Sequence, residues 1–265
     1  MCELLGFSAS APTRVRVLLH EFAREGGETA PNRDGWGVAL YQGHDAHIAR
    51  EAKPAADSAQ MRFLREHELA SPIGIAHVRH ATQGADTLVN TQPFSARLDG
   101  RLHVFAHNGV IQDSALLGPF EPPWQPLGET DSECAFALLM QRLAELPDKR
   151  RADWRVRFEV FAKLCTELRP RGIFNVLFSD GEYLYVHAHK RHWHHGDNPT
   201  APGLWHLERS AHRPDSAALA GLRVDASTEV RIHFLASVPL SHDDWRSLPE
   251  GELRAFRNGE LLASN

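Results

Sequence analysis

The pattern of hydrophobic positions along the chain predicts three helices. Apolar residues recur at helical spacing between Thr13 and Arg24, and the glycine pair at residues 26–27 can end that helix. A second helix is predicted for ETDSECAFALLMQRLAEL, where Thr130 and Glu133 have the spacing of a capping box. A third helix has its apolar stripe at Trp154, Phe158, Phe161, Cys165 and Leu168.

Short apolar runs bounded by turn residues predict strands. Four such runs are GWGVALYQG, IGIAHVRHAT, LHVFAHNGVI and EVRIHFLAS. Two hairpins are indicated, IFNVLFSDGEYLYVHAH with Asp180-Gly181 at its turn and ELRAFRNGELLA around Asn258-Gly259. Strands at both ends of the chain with helices between them favour an α+β fold, in which two antiparallel sheets pack with helices. The segment RHWHHGDNPTAPG is predicted to be a long exposed loop.

The composition argues against several classes of protein. The 265 residues carry a net charge of −5 with no dominant basic stretch, so nucleic-acid binding is not expected. No apolar run has the length of a membrane span, and MCELLGFSAS lacks the basic and long apolar regions of a secretory signal. Three cysteines without CxxC spacing disfavour a disulfide framework or a cysteine-based zinc site. We therefore expect a cytoplasmic protein that begins at its natural start.

Cys2 follows the initiator methionine directly, and this position gives it a chemical option. If Met1 is removed, the α-amine of Cys2 has a reference pKa of about 7.7–8.0 and can accept the proton of the thiol. Cysteine is also small enough for ordinary removal of the methionine before it. The alternative is that Cys2 is a small buried core residue, and the Met-Cys start taken alone favours that interpretation.

Other polar groups end predicted strands or begin a predicted helix. Arg79 has a planar guanidinium that suits a carboxylate, or it forms a structural ion pair. Asn108 and Gly109 can donate N–H groups to an oxyanion, although an Asn-Gly pair taken alone favours a β-turn. Asp131 lies in a first helical turn, where it faces a substrate ammonium or caps the helix. Combined with Cys2, these groups supply a nucleophile, oxyanion donors and both partners of an α-amino acid head group.

A family resemblance rests on these motifs taken in order. MCELLG, DGWG, HVRHATQG with NTQPF, HNG and GETDSE resemble the class II glutamine amidotransferases, which belong to the N-terminal nucleophile hydrolases. The resemblance is closest to the stand-alone, YafJ-like branch, and it continues through GIFNVLFSDGEYLYVHA and ASVPLSHDDWRSLPEGELRAF. It therefore implies a single domain over residues 1–265 with the fold of a four-layer αββα sandwich.

The resemblance also implies a role for each candidate residue. Cys2 is the nucleophile with its α-amine as base, and Asn108 and Gly109 form the oxyanion hole. Arg79 holds the α-carboxylate of glutamine, and Asp131 holds its α-amino group. Three further residues of the same motifs are expected to line the pocket: Trp36, Thr82 and His107. No cofactor and no metal are implied.

Some features depart from the family pattern. His80 and Gln83 stand where better-known synthases have Trp and His, so the channel features of those enzymes are not expected. For Trp36, in the turn DGWG, the alternative to lining the pocket is a position in the hydrophobic core. The histidine-rich segment 187–195 has no role in the family, and a solvated loop is favoured over a divalent-metal site.

The expected reaction releases ammonia or an amine from glutamine or a γ-glutamyl amide, through a γ-glutamyl thioester on Cys2. The acceptor is water or an ammonia-accepting protein partner, and a homo-oligomer is compatible with either. One alternative is hydrolysis of a γ-glutamyl conjugate, as in ergothioneine-pathway relatives. Another is a hydrolase of cyclic or bile-type amides, against which Arg79 with Asp131 argues. A catalytically silent module that binds an amino acid or docks on a partner is the alternative outside enzymes.

Overall fold

The computed structural model describes residues 1–67, 69–194, 196–211, 222–224 and 229–265. Its helices are α1 (Arg16–Arg24), α2 (Ala59–His67), α3 (Asp131–Ala144), α4 (Asp148–Arg151) and α5 (Trp154–Leu168), with 3₁₀ turns at Leu88–Asn90, Ser114–Leu117 and Arg169–Arg171. Its strands are β1 (Glu3–Val15), β2 (Gly35–Gln42), β3 (Asp45–Glu51), β4 (Ser71–Arg79), β5 (Phe94–Leu98), β6 (Arg101–Ile111), β7 (Gly172–Ser179), β8 (Leu184–His187), β9 (Trp205–Ala211), β10 (Leu222–Val224), β11 (Val230–Ala236), β12 (Arg246–Ser247), β13 (Leu253–Arg257) and β14 (Glu260–Ser264). Across these described ranges, no helix combines the length and apolar character that crossing a membrane requires.

The strands form two antiparallel sheets. The first sheet has the order β12-β9-β11-β1-β4-β2-β3, with β10 also paired to β1, and the second has the order β14-β13-β8-β7-β6-β5. Strand β1 is central in the first sheet, because it pairs with β4 through Glu3 and Val78 and with β11 through Leu5 and Ala236. The start of β1 is thus held between strands from distant parts of the sequence.

Three apolar clusters separate four layers. Leu4 of the first sheet and Leu177 of the second belong to a cluster between the two sheets. Phe22 of α1 packs with the outer face of the first sheet, where α2 also contributes. Phe136 of α3 packs with the outer face of the second sheet, together with α5. The predicted α+β class and the αββα order are confirmed.

Most of the predicted elements are present, with displaced boundaries. Helix α1 begins at Arg16 rather than Thr13, because β1 extends to Val15. The side chain of Thr130 accepts a hydrogen bond from the backbone N–H of Glu133 and so caps α3 as predicted. Both predicted hairpins form, β7–β8 and β13–β14. Strand β3 and helix α2 were not predicted, because their sequences are largely polar.

Candidate active site

Cys2 lies directly before β1 and contacts the backbone that follows β4. The backbone N–H of His80 donates to Sγ of Cys2 at 3.2 Å, and the thiol donates to the carbonyl oxygen of His80 at 3.4 Å. Burial of the thiol raises the pKa of Cys2 to about 11, although the hydrogen bond from His80 lowers it. The thiol is therefore protonated at neutral pH, and its use as a nucleophile requires a base.

Arg79 ends β4, and its buried guanidinium orders the loop that follows. Nη1 donates to the carboxylate of Asp86 at 2.7 Å and to the carbonyl oxygen of Asp34 at 3.3 Å. Nη2 donates to the carbonyl oxygens of Gln83 and Gly84, each at 3.0 Å. Among the described residues, Asp86 provides the only carboxylate that pairs with this guanidinium. The side chain of Asp86 is more than half exposed to solvent.

Asn108 lies in β6 on the side that faces the first sheet, completely buried. Its Nδ2 donates to Oγ of Ser237 at 3.1 Å, and the same hydroxyl accepts from the backbone N–H of Leu4 at 3.0 Å. Nδ2 carries two N–H donors, so a second one remains beside this contact. The carbonyl oxygen of Asn108 is held by Nδ2 of Asn175 at 3.0 Å. Ser237 thereby connects the predicted oxyanion donor to the strand that follows Cys2.

Gly109 is required by its surroundings. It has a φ of 155°, and a Cβ atom there would lie 1.9 Å from the carbonyl oxygen of Ile173. Beside it, the side chain of Gln92 exchanges hydrogen bonds with the backbone of His107, at 2.6 Å to its N–H and 3.1 Å to its carbonyl oxygen. The HNG segment is therefore held in an extended strand and not in the β-turn that an Asn-Gly pair favours.

His107 and Asp131 lie where β6 meets the start of α3. Nδ1 of His107 is 2.8 Å from Oγ of Ser132, and Nε2 is 3.0 Å from the carbonyl oxygen of Ile173. Burial lowers the pKa of His107, while the charge of Asp131 opposes that shift. The carboxylate of Asp131 accepts from the backbone N–H groups of Ile111 at 2.6 Å and Ser132 at 2.9 Å. Both side chains thus have structural partners at the start of α3.

Asn90, in the NTQPF motif, connects the Arg79 loop to α3. Its Nδ2 donates to the carbonyl oxygen of Ala85 at 3.0 Å, and its Oδ1 accepts from the backbone N–H of Glu129 at 2.9 Å. A Cβ atom on Gly84 or Gly128 would collide with the Asn90 side chain at 2.7 Å and 2.2 Å. The sequence pointed to NTQPF as a motif, but not to this bridging role.

Two of the predicted pocket residues, Trp36 and Thr82, differ in their exposure to solvent. Trp36 is fully buried in the cluster between the first sheet and α1, whereas Leu4, two residues after Cys2, lies in the cluster between the sheets. Trp36 thus occupies a core position on the outer face of the first sheet. Thr82 lies exposed in the loop after Arg79.

Among its described residues the predicted loop at 191–203 is largely exposed, as expected, and it is anchored at its start. The Arg191 guanidinium is buried and forms two hydrogen bonds with the Glu3 carboxylate, at 2.7 Å and 2.9 Å. It also donates to the carbonyl oxygen of Ser237 at 2.7 Å. The backbone N–H of His192 lies 3.3 Å from Sδ of Met1. This loop therefore covers the start of the chain beside Cys2.

The histidines do not assemble a metal site in the part of the chain that is described, where no group of three or more potential ligands occurs. His195, within the predicted histidine-rich segment, lies outside the described residues. His77, two residues before Arg79, is fully buried with no hydrogen-bond partner on either ring nitrogen. Burial lowers the pKa of His77 to about 3, so its ring is neutral at physiological pH.

The family model and three similar proteins match the chain over nearly its whole length. The family model described as "Glutamine amidotransferases class-II" matches residues 1–265. YafJ of Escherichia coli strain K12 is 31% identical over 99% of this chain and 100% of its own length. A crystal structure described as a predicted glutamine amidotransferase from Pseudomonas aeruginosa is 29% identical, with a TM-score of 0.66 over 99% of this chain and 100% of that one. Glutamine phosphoribosylpyrophosphate amidotransferase of B. subtilis shares the fold, with a TM-score of 0.62 at 15% identity over 100% of this chain and 49% of its own.

Proposed function

The chain belongs to the class II glutamine amidotransferases, and from this premise we propose that it cleaves the side-chain amide of glutamine or a γ-glutamyl amide with Cys2 as nucleophile. The observation that carries the proposal is the fixation of the Cys2 thiol by both backbone groups of His80, the residue after Arg79. The nucleophile is thereby held next to the cation proposed for the substrate carboxylate. We propose that residues 1–265 act as one domain.

The base in this proposal is the α-amine of Cys2 after removal of Met1. With Met1 attached, the nitrogen of Cys2 is an amide and cannot accept a proton. A free α-amine has a pKa of about 7.7–8.0, whereas the pKa of the buried thiol is raised to about 11. The neutral fraction of this amine accepts the thiol proton as sulfur bonds to carbon.

The reaction then proceeds through a thioester. Sγ of Cys2 bonds to the amide carbon, and the carbonyl oxygen becomes an oxyanion that accepts from Nδ2 of Asn108 and the N–H of Gly109. The ammonium of Cys2 gives its proton to the leaving nitrogen as the C–N bond breaks. Water then attacks the γ-glutamyl thioester, which releases glutamate and returns the proton to sulfur. Ammonia or an amine is the other product.

The head group of the substrate is assigned to Arg79 and Asp131. Asp86 already places one carboxylate on the Arg79 guanidinium, at 2.7 Å. Because Asp86 is more than half exposed, its carboxylate can move into water when a substrate carboxylate takes its place. The carboxylate of Asp131 has two backbone donors, and carboxylate oxygens have further acceptor capacity for an ammonium.

The test is glutamate release by protein whose intact mass shows that it begins at Cys2. Glutamine and γ-glutamyl amides with leaving groups of increasing size are compared, and ammonia is measured in parallel. We expect glutamate to form and a diazo-ketone analogue of glutamine to label one sulfur per chain. Labelling is expected to disappear with turnover in Cys2→Ala.

The matched control is Cys165→Ala, which removes a buried thiol from the packing of α5 without approaching His80. Glutamate release at the normal rate by Cys2→Ala, or by protein that retains Met1, contradicts the proposed nucleophile or the proposed base respectively. A preference for large leaving groups over glutamine identifies the substrate as a γ-glutamyl conjugate.

A further inference from the structure

An open groove lies at the edge of the molecule where β3 and β5 are the terminal strands of the two sheets. It has a volume of about 540 Å³, within the range of small-molecule sites. Its walls are β5, one face of α3, the 3₁₀ turn at Leu88–Asn90 and the proline-rich residues 123–127. The residues that matter most for its chemistry are Arg50, Leu88, Val89, Trp124, Leu127 and Met140.

The groove concentrates exposed apolar surface. Among the described residues seven large apolar side chains are exposed, and three of them line this groove: Leu88 at 52%, Val89 at 36% and Leu127 at 85%. Trp124 and Met140 add an aromatic and a flexible apolar surface beside them. Contiguous exposed apolar surface of this kind is typical of a binding site, whereas single exposed apolar residues are normal on any protein surface.

Arg50 supplies a positive charge without a matching acid. Its Nη1 donates to the carbonyl oxygen of Thr91 at 2.8 Å, and no acidic side chain in the described ranges forms an ion pair with it within 4.0 Å. The nearby carboxylate of Glu133 accepts from the backbone N–H groups of Leu127 and Gly128, at 3.0 Å and 2.7 Å. Partial burial lowers the pKa of Arg50. A partly desolvated guanidinium with free donors favours an anionic partner.

We propose that this groove binds an amphipathic monoanion, in which an aromatic or aliphatic body contacts Leu88, Trp124 and Met140 while its carboxylate or sulfonate pairs with Arg50. The groove is large enough for a body of drug-like size. Pairing of the anionic group with Arg50 fixes the orientation of the ligand. This site is separate from the residues assigned to amide cleavage.

The groove nevertheless shares a wall with the candidate active site. Leu88, Val89 and Phe94 face the groove, and Asn90 and Gln92 between them hold the Arg79 loop and the HNG strand. The absence of a side chain on Gly37 allows this segment to pass over β2, since a Cβ atom there would lie 2.3 Å from a backbone oxygen of the segment. A bound ligand would contact the segment on its outer side.

The test uses anilinonaphthalene sulfonate as the probe, because it is an aromatic monoanion that fluoresces in apolar sites. We expect one bound probe per chain, displaced by decanoate but not by the same concentration of decanol. Arg50→Gln is expected to weaken binding about ten-fold or more, the effect of losing a charge-assisted hydrogen bond. Ser95→Trp, at the exposed rim of the groove, is expected to block binding by filling it.

Arg97→Gln is the matched control, because Arg97 lies on β5, which borders the groove, and already pairs with Asp45 at 2.8 Å. Its affinity for the probe is expected to stay close to that of the unmodified chain, since exposed ion pairs contribute little. Equal affinity in Arg50→Gln, displacement by decanol, or unchanged binding in Ser95→Trp overturns the proposal. A melting temperature for each variant verifies folding, and the competition between decanoate and decanol on the unmodified protein decides the charge requirement without any substitution.

Discussion

The space between the two sheets has polar side chains in two regions along β1, and the regions differ in how far these groups satisfy one another. At the Cys2 end, Oδ1 of Asn108 and both ring nitrogens of His77 are buried without partners in the described structure. Farther along β1, level with Ser8, Nε2 of His206 lies 2.9 Å from Nδ1 of His233, and Arg254 lies 2.8 Å from Nδ1 of His206. Both ring nitrogens of His206 therefore have partners.

The difference shows that buried polar residues alone do not identify a site. Arginine only donates, so Nδ1 of His206 accepts from Arg254, and its Nε2–H donates to His233. The His206 ring is suited to a structural role, because neither of its nitrogens remains for a ligand. Unused hydrogen-bonding capacity at the Cys2 end is costly unless a substrate or ordered water satisfies it. Substitutions in the two regions should therefore affect different measurements.

Apart from loss of the nucleophile itself, the largest expected effect at the Cys2 end comes from Asn108→Ala. We expect kcat for glutamate release to fall by about 10²–10³, since removal of an oxyanion donor costs about 2.7–4 kcal/mol. Steady-state kinetics and a urea unfolding curve measure activity and stability separately. A large loss of stability with unchanged kcat would show that Asn108 has a structural role and is not an oxyanion donor.

Arg79→Lys keeps the charge and removes the planar fork. We expect KM for glutamine to rise by roughly ten-fold or more, because a charge-assisted hydrogen bond contributes about 1.5–3 kcal/mol. Saturation kinetics on Cys2-initiated protein measure this change. An unaltered KM would restrict Arg79 to ordering the loop through Gln83 and Gly84.

His206→Gln tests the histidine network through the pH dependence of the free energy of unfolding. Burial and the charge of Arg254 lower the pKa of His206 to about 3, so the unfolded chain, with an ordinary histidine pKa of about 6.5, binds the proton more readily. Stability from this group is complete above about pH 6.5 and falls toward about pH 3, by up to about 1.4 kcal/mol per pH unit.

Urea unfolding at about pH 7 and about pH 5 measures that slope. We expect a shallower decline in His206→Gln than in the unmodified chain, with kcat at neutral pH unchanged. The same slope in both proteins would show that His206 does not resist protonation in the folded state.

The smallest effect is expected from Ser237→Ala, which acts through Asn108. Loss of the hydroxyl removes one hydrogen bond from the Asn108 amide and one from the N–H of Leu4. We expect kcat to fall about five-fold with KM unchanged, in line with a hydrogen bond worth about 1 kcal/mol. Ser237→Thr retains the hydroxyl and should restore kcat. A matching loss in that variant would point to packing instead of amide position.

The fold was predictable where signals are local. Helix α3 carries its own cap at Thr130, and the β13–β14 hairpin has Asn258 and Gly259 with positive φ at its turn. The start of α1 was predicted three residues too early, because Val15 fits the apolar pattern of either a strand or a helix. The layer order came from the family resemblance, since periodicity shows which residues share a face but not what covers that face.

The site was predictable as a set of residue types and less so as a geometry. Alternation in GWGVALYQ places Trp36 and Val38 on one face, but it does not indicate that this face is turned away from Cys2. The pairing of Glu3 with Arg191 joins residues 188 positions apart, and no local pattern reports such a contact. The burial of Arg191 at the start of an otherwise exposed loop was missed for that reason.

The clamp on β1 has an entropic consequence. The first residues of a strand ordinarily fray, and a reactive group placed there would sample many orientations. Here the carboxylate of Glu3 is fixed by Arg191, and both backbone groups of Leu4 hydrogen-bond with Ser237. Only one residue separates Cys2 from this immobilised backbone. The orientational freedom of the thiol is thus lost once, during folding, and does not have to be lost again in each turnover.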